Sequence, residues 1–280
     1  MIALLGVPRV AHAQTDYYNT DSGRPITIED AYPVERYGFE LQLAPVRLER
    51  SSGGSYGWQF EPELAYGIFP RTQLEIGLPI HVTDGVPGRN ERGLAGIEIS
   101  ALHNLNVETA GLPALGVAIE GLLPVGSLAP DDPYASLKGI ATRTYRFARI
   151  HLNGRWTWGA EPRETHHVPG ASSSEITPMH PLSHHADSRS DELSRWLVGA
   201  AIDKTFPLKA SLVTASAYVE QPLERADDLR WVTEAGLRYQ WSPRLAVDAG
   251  VAKKLTGDDR PWSVTFGAAY AFAIRSLMDR

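Results

Sequence analysis

The sequence predicts an all-β fold, a transmembrane up-and-down antiparallel β-barrel of about twelve strands. Three observations predict it: hydrophobicity repeats with a period of two, the connections alternate between short and long, and the tryptophans keep to the apolar phase of the repeat.

The period of two is clearest from Tyr56 to Ile68, where apolar residues and one proline alternate mainly with glycine, glutamine and glutamate. A run of this length in one phase is typical of a strand with one apolar face. Similar runs recur at 74–82, 97–101, 115–119, 150–158, 196–202, 231–241, 245–251 and 262–274, with ambiguous phase at 137–145 and 209–219. In the first run, Phe39 to Leu48, the phase slips at Ala44-Pro45, which predicts a β-bulge.

The connections between these runs fall into two classes. Short turns are predicted at 69–71, 108–113, 146–148, 206–207 and 242–243. Longer polar loops are predicted at 50–55, 83–92, 127–135, 160–192, 221–228 and 256–260. The two classes alternate, so they lie at opposite ends of the strands, as in outer-membrane barrels with short periplasmic turns. Both chain termini are then expected on the periplasmic side.

All seven tryptophans have the apolar phase, and all but one lie beside a long loop. Amphipathic rings prefer the two membrane interfaces, so they are predicted to form aromatic girdles around the barrel. The predicted girdle residues are Trp58, Trp156, Trp158, Trp196, Trp231, Trp241 and Trp262.

Composition excludes other classes. The chain has 280 residues, 43% hydrophobic, a net charge of -6 and no cysteine. Its apolar runs are shorter than the roughly 18–20 residues of a membrane-spanning helix. The sequence has no basic block that would indicate a nucleic-acid partner. Since it has no cysteine, it cannot form disulfides.

The chain is predicted to divide into four parts. An apolar stretch followed by Ala11-His12-Ala13 indicates a truncated signal peptide over 1–13. Residues 14–34 form a periplasmic N-terminal segment or a lumen plug, 35–274 the barrel, and 275–280 a C-terminal tail. The segment before the first strand contains Asp16, Asp21, Glu29 and Asp30, and it either folds into the lumen near basic strands or forms a flexible arm.

The residues from Arg24 to Ala31, read as RP-x-T-x-E-D-A, followed by Gly38-Phe39-Glu40-Leu41, resemble an outer-membrane family named for the meta-pathway of phenol degradation. The motif is short, and the rest of the resemblance is the general spacing of the strands. The resemblance implies an outer-membrane channel for hydrophobic or aromatic small molecules.

Charged residues of the polar phase are expected to line the lumen, acidic on the first five strands and mainly basic on the next two. The predicted lumen-lining residues are Glu40, Glu61, Glu63, Glu75, Glu98, Glu120, Lys138, Arg146, Arg149, Arg155 and Arg238. They either create a transverse field that orients dipolar solutes or form a salt-bridge lattice that fills the interior. Since roughly eight strands leave a filled interior and roughly 16–18 an aqueous channel, any pore here is narrow.

Metal and enzyme sites are weaker predictions. His166, His167, His180, His184 and His185 share the longest loop and are weak metal-ligand candidates, since imidazole binds copper, nickel or zinc. A solvated loop is the favoured interpretation of these histidines.

Phospholipase-like chemistry would need serine, histidine and asparagine on the lipid-facing wall. Only His103 has outward phase, and no serine stands out beside it, whereas His151 and Asn153 have lumen phase. The chain is therefore predicted not to be an enzyme and to need no cofactor.

Together these features predict a bacterial outer-membrane, porin-like channel for passive uptake of small organic molecules through a narrow charged lumen. The alternative is a closed structural or surface-interaction barrel. The expected partners are membrane lipid and lipopolysaccharide, a small organic solute and the barrel-assembly machinery, with no nucleic acid. The oligomeric state stays open.

Overall fold

A computed structural model describes residues 18–50, 56–84, 91–159, 193–223, 229–257 and 260–274. The predicted signal peptide, the histidine-rich loop and the C-terminal tail lie outside them. The strands are β1 (Gly38–Arg50), β2 (Tyr56–Phe69), β3 (Thr72–Gly77), β4 (Ile80–Asp84), β5 (Glu91–Leu94), β6 (Ile97–Asn104), β7 (Ala114–Leu123), β8 (Tyr134–Thr144), β9 (Arg149–Trp158), β10 (Ser194–Phe206), β11 (Ser211–Pro222), β12 (Arg230–Ser242), β13 (Leu245–Lys254) and β14 (Trp262–Ala273). A short 3₁₀ turn, Pro207–Lys209, joins β10 to β11.

These strands form one closed antiparallel sheet. β1 pairs with both β2 and β14, so the sheet has no free edge there. β3 and β4 both pair with β2 and together make one crossing of the wall. β5 pairs with β4 and β6 pairs with β3, so β5 and β6 together make the next crossing. The result is the predicted barrel of twelve strands. Because the sheet is closed, every wall strand has a neighbour on each side for its backbone hydrogen bonds. A β-structure that crosses a membrane requires this.

The register confirms the bulge predicted from the phase slip. Pairing of β1 with both neighbours is interrupted between Gln42 and Val46, which brackets Ala44-Pro45. Proline cannot donate a ladder hydrogen bond, and a bulge is one place where a sheet accepts it.

Burial along the strands is inverted relative to a soluble sandwich. On β9, the polar His151 and Asn153 are buried, whereas Leu152 and Trp156 are about half exposed. Large apolar side chains are exposed on every long strand, which a soluble surface would not present over so wide an area. The polar face therefore points inward and the apolar face points toward lipid.

Among the residues that the structure describes, no helix has the length and apolar character to cross a membrane.

Residues 18–36, here called the interior segment, run inside the barrel. Their contacts involve inward-facing residues on strands from β2 around to β14. Several of these partners are close to the ends joined by short turns: Gln73 is the second residue of β3, Asn104 ends β6 and Arg149 begins β9. The segment thus occupies the interior from the short-turn ends up to the level of Glu234 on β12.

Apolar anchors hold the interior segment at two places. Ile26 and Ile28 are fully buried against Leu197 and Ala201 of β10, with Tyr218 of β11 alongside. Ala31 packs with residues of a second part of the wall, on β6, β7 and β8, namely Leu102, Ala114, Ala118 and Ile140.

Candidate functional site

The wall leaves room for the interior segment at glycines. Gly236 and Gly250 face each other in the β12–β13 register, and Pro25 lies against both. A Cβ at Gly236 would come within 2.6 Å of Pro25 Cγ, and one at Gly199 within 2.6 Å of Ile28 Cδ1. These positions accept the segment only because they lack a side chain.

The first polar anchor is Arg24, whose side chain is completely buried. Its Nε donates to Asp248 Oδ2 at 3.2 Å, and its Nη2 lies 3.1 Å from the same oxygen. Arg238 donates through Nη2 to Asp21 Oδ2 at 2.8 Å. Although burial lowers the pKa of Arg24, the carboxylates of Asp248 and Asp21 outweigh it and raise that pKa, so the guanidinium stays charged.

The second polar anchor is Glu234 on β12. Its carboxylate accepts the Thr27 N–H at 2.7 Å, the Thr27 hydroxyl at 2.8 Å and the Ser216 hydroxyl at 2.6 Å. Three donors on one carboxylate fix both the backbone and the side chain of Thr27.

The third anchor joins Glu29 to β8 and β9. Asn153 accepts the Glu29 N–H and donates to the Glu29 carbonyl, each at 2.9 Å. The Lys138 ammonium lies 2.7 Å from Glu29 Oε1 and also contacts Glu120. Burial raises the pKa of Glu29 to about 7, because its effect exceeds that of Lys138, which lowers it.

The fourth anchor is a buried row on β8, β9 and β10. Asp203 accepts from Arg149 at 3.0 and 2.7 Å and lies 2.7 Å from His151 Nε2. Since a carboxylate can only accept, Nε2 carries the proton, and Nδ1 accepts the hydroxyl of Thr142 at 3.0 Å. Thr142 in turn accepts the Ala31 N–H at 3.0 Å. Arg149 also contacts Asp30, so the row binds the interior segment at two residues, Asp30 and Ala31.

This row resembles a hydroxyl–histidine–carboxylate triad in composition, but its geometry indicates a structural role. Thr142 and His151 are completely buried, and the threonine oxygen is engaged by a backbone N–H. A nucleophile must be able to reach a substrate. His103 lies on the opposite, lipid-facing side, paired through Nδ1 with the Thr72 hydroxyl at 2.9 Å.

A chamber of about 250 Å³ lies between the interior segment and the ends of the strands that carry the long loops. Its floor includes Thr20–Gly23, Thr27, Glu29 and Asp30 of the interior segment. Its walls carry five of the predicted lumen glutamates on β2, β3, β6 and β7 together with Arg155. Among the described residues of the lining, eleven are carboxylates and four are cationic.

The structure places most predicted lumen residues inside the barrel, in two groups. Glu61, Glu63, Glu75, Glu98, Glu120 and Arg155 line the chamber. Lys138, Arg149 and Arg238 bind carboxylates of the interior segment, and Glu40 is buried close to Arg24.

Arg146 is the exception and a correction. It is exposed in the turn between β8 and β9, after β8 has ended at Thr144. The short turn predicted at 146–148 already contains this residue, so its assignment to the lumen wall was inconsistent with the predicted turn.

Sequence reasoning missed several inward partners, namely Asp203, Glu234 and Asp248. Each alternates with outward apolar residues, such as Ile202 and Val247, so phase alone could have placed them in the lumen.

The predicted girdle tryptophans lie on the outer face. Trp58, Trp156, Trp158, Trp231, Trp241 and Trp262 are exposed, and Trp196 is half-buried. Trp241 is the most exposed, at 71%, and is the one at the short-turn end, edge-on to Tyr239.

The five histidines of the long loop lie outside the described residues. Within the described ranges, no group of three or more histidine or acidic side chains is arranged to hold a metal ion.

The closed wall, the apolar exterior and the polar interior define the class of this protein: it is a bacterial outer-membrane β-barrel. No family model matches the chain, and the search of curated proteins finds no match. The resemblance to the phenol-degradation family therefore rests on the short motif and on the spacing of the strands. In the structure, that motif is part of the interior segment.

Solved structures show the same fold. The COG4313 outer membrane channel from Pseudomonas putida F1 aligns over 87% of this chain and 98% of its own, with 11% identity and a TM-score of 0.54. The KdgM porin aligns over 83% and 99%, with 12% identity and a TM-score of 0.51.

Outer membrane phospholipase A from Escherichia coli aligns over 91% and 95%, with 10% identity and a TM-score of 0.44, too low to carry an argument.

Proposed function

We propose that this protein is a passive outer-membrane channel for small organic molecules and that the interior segment controls passage. One observation carries the proposal: a polar chamber lies inside a closed barrel, and the segment below it contacts wall strands on all sides. A solute from the long-loop end reaches this chamber first. It continues only when the segment shifts.

The nature of the anchors supports a segment that can leave its place. Four of them are ion pairs or hydrogen bonds to carboxylates, and water in the lumen can hydrate these polar groups once the segment has moved. The apolar anchors are few, with Ile26, Ile28 and Ala31 supplying most of the buried apolar surface. Two solved structures with TM-scores above 0.5 are an outer membrane channel and a porin, which agrees with this proposal.

The solute class follows from the lining. Three tyrosines, Tyr32, Tyr134 and Tyr218, line the chamber beside Leu102, Leu122 and Leu197. Aromatic and aliphatic surface next to polar groups is what small organic ligands contact in proteins. The chamber volume of about 250 Å³ is just below the range of typical ligand sites, so the solute is small.

Liposome swelling tests the proposal. Proteoliposomes with the full chain are expected to swell in neutral solutes such as glycerol and benzyl alcohol, in proportion to protein content, and protein-free liposomes set the background. Swelling at background with every solute would instead favour a closed structural or surface-interaction barrel.

A further inference from the structure

We propose that the chamber selects small organic cations, such as protonated amines with an aromatic or apolar part, and rejects anions. This inference rests on the proposed channel function and specifies its substrate class. It follows from how the interior segment distributes charge between the two halves of the lumen.

The wall alone carries both signs of charge. Acidic residues predominate on β2, β3, β6 and β7, whereas the strands from β8 to β13 combine the cations Lys138, Arg149 and Arg238 with the carboxylates Asp203, Glu234 and Asp248. An empty barrel with this arrangement would offer sites to both cations and anions.

The interior segment removes these three cations from this arrangement. Asp21 pairs with Arg238 at 2.8 Å, Glu29 with Lys138 at 2.7 Å, and Asp30 with Arg149 at 3.4 Å. The cation of each pair lies deeper than the chamber and does not line it. These three basic side chains are thus occupied and are not presented to a solute.

What remains in the chamber is acidic. When the three carboxylates paired with deep cations are set aside, eight carboxylates and four cations still line its described part. The excess persists although Glu49 pairs with Lys254 at 3.3 Å and Glu120 lies 3.9 Å from Arg155.

The glutamates also converge in space. The inner face of Gly77 is surrounded by Glu63 Cγ at 3.3 Å, Glu98 Cβ at 3.5 Å and Glu61 Oε1 at 3.7 Å, measured from the position of an ideal Cβ. Glu75, two residues before Gly77 on the same face, accepts a hydrogen bond from Gln73 at 2.7 Å. Three glutamate side chains from β2 and β6 therefore meet over Gly77, with the Glu61 carboxylate nearest to it.

Two kinds of interaction then favour the same solute. A cavity lined by one sign of charge with low-dielectric walls enriches counter-ions about 10-fold or more. Tyrosine rings attract ammonium groups and pack against apolar groups, and three tyrosines are among the residues that line the chamber. A carboxylate solute of the same size meets repulsion and gains only the apolar contact.

Bilayer recordings with matched ions test this inference on the full chain. Zero-current potentials are measured across a gradient of benzylammonium chloride and, separately, of sodium benzoate, two salts whose organic ions are similar in size and opposite in charge. Benzylammonium is expected to be about 10-fold more permeant than chloride, and benzoate less permeant than sodium. Benzoate as permeant as benzylammonium would overturn the inference while leaving the channel function intact.

A substitution and a matched control locate the selectivity. The double variant Glu63→Gln/Glu75→Gln is expected to lower the preference for benzylammonium roughly twofold or more. The control, Asp131→Asn/Asp132→Asn, removes the same charge from an exposed loop outside the chamber and is expected to keep the wild-type preference. Equal effects of the two variants would contradict a selective chamber.

The wild-type protein provides a second readout that no folding defect can confuse. Raising background KCl from 0.1 to 1 M shortens the screening length from about 10 Å to about 3 Å, so the cation preference should fall. A preference unchanged by salt would contradict its electrostatic origin. Absence of both conductance and swelling would overturn the channel function and this inference with it.

Discussion

A close approach between the wall and the interior segment gives the sharpest prediction. Gly236 and Gly250 are register partners on β12 and β13, and both face Pro25. We expect the double variant Gly236→Ala/Gly250→Ala to displace the interior segment and to raise conductance.

The size of the effect follows from the geometry. A Cβ at Gly236 would lie 2.6 Å from Pro25 Cγ, whereas ordinary contacts begin at 3.4 Å. The proline must therefore move by about 1 Å in a close-packed interior. Overpacking of this kind costs about 1–3 kcal/mol, which corresponds to an increase of about 5- to 150-fold in the displaced population.

Single-channel recording in a planar bilayer measures this population as the fraction of time spent open. The chain offers a matched control, because Gly139 and Gly154 are also register partners but face lipid, with nothing within 4 Å of an added Cβ. Gly139→Ala/Gly154→Ala should behave as wild type. If the Gly236/Gly250 variant folds, as judged by its heat-dependent shift on gels, and also conducts as wild type, the reasoning is refuted.

Two further predictions concern the anchors. Because burial raises the pKa of Glu29 to about 7 from an ordinary value of 4.5, the docked segment holds a proton that the released segment gives up; docking should therefore weaken as pH rises through this window. Conductance should be higher at pH 8 than at pH 5 in wild type and should depend less on pH in Glu29→Gln, where Asp30, whose pKa burial also raises, still titrates. A wild type without pH dependence would argue against this anchor. Asp203→Ala leaves Arg149 and His151 buried without their carboxylate and should destabilise the barrel by about 3–5 kcal/mol in chemical denaturation, whereas Asp131→Ala in an exposed loop should change stability by less than about 0.5 kcal/mol. A loss below about 1 kcal/mol for Asp203→Ala would show that the buried row is not a major anchor.

The fold could be predicted because successive residues of a barrel strand face lipid and lumen in turn, so the sequence alternates between apolar and polar residues. Leu152 and His151 are adjacent in the chain, yet one faces lipid and the other the interior, and a period of two records that difference locally. Even the bulge at Ala44-Pro45 was visible as a phase slip.

The arrangement inside the lumen could not be predicted to the same degree. The contact between Thr27 and Glu234 joins residues 207 positions apart, and no local pattern encodes it. In the sequence, Gly236 and Gly250 do not differ from other strand glycines, and only the structure shows that Pro25 lies against them. The motif residues Glu29 and Asp30 are opposite in charge to Lys138 and Arg149 of the wall. This complementarity indicated that the segment could bind the wall, but not which residues would pair.

Locking the interior segment to the wall tests the central claim most directly. The Ala31 Cβ lies 3.4 Å from the position of an ideal Cβ at Gly116, close to the roughly 3.8 Å of a disulfide, and the chain has no native cysteine to interfere. Single-channel conductance of Ala31→Cys/Gly116→Cys is then compared before and after reduction. Conductance at background when oxidised and at the wild-type level when reduced is the predicted result; wild-type conductance in the fully oxidised protein would show that solutes pass without movement of the segment.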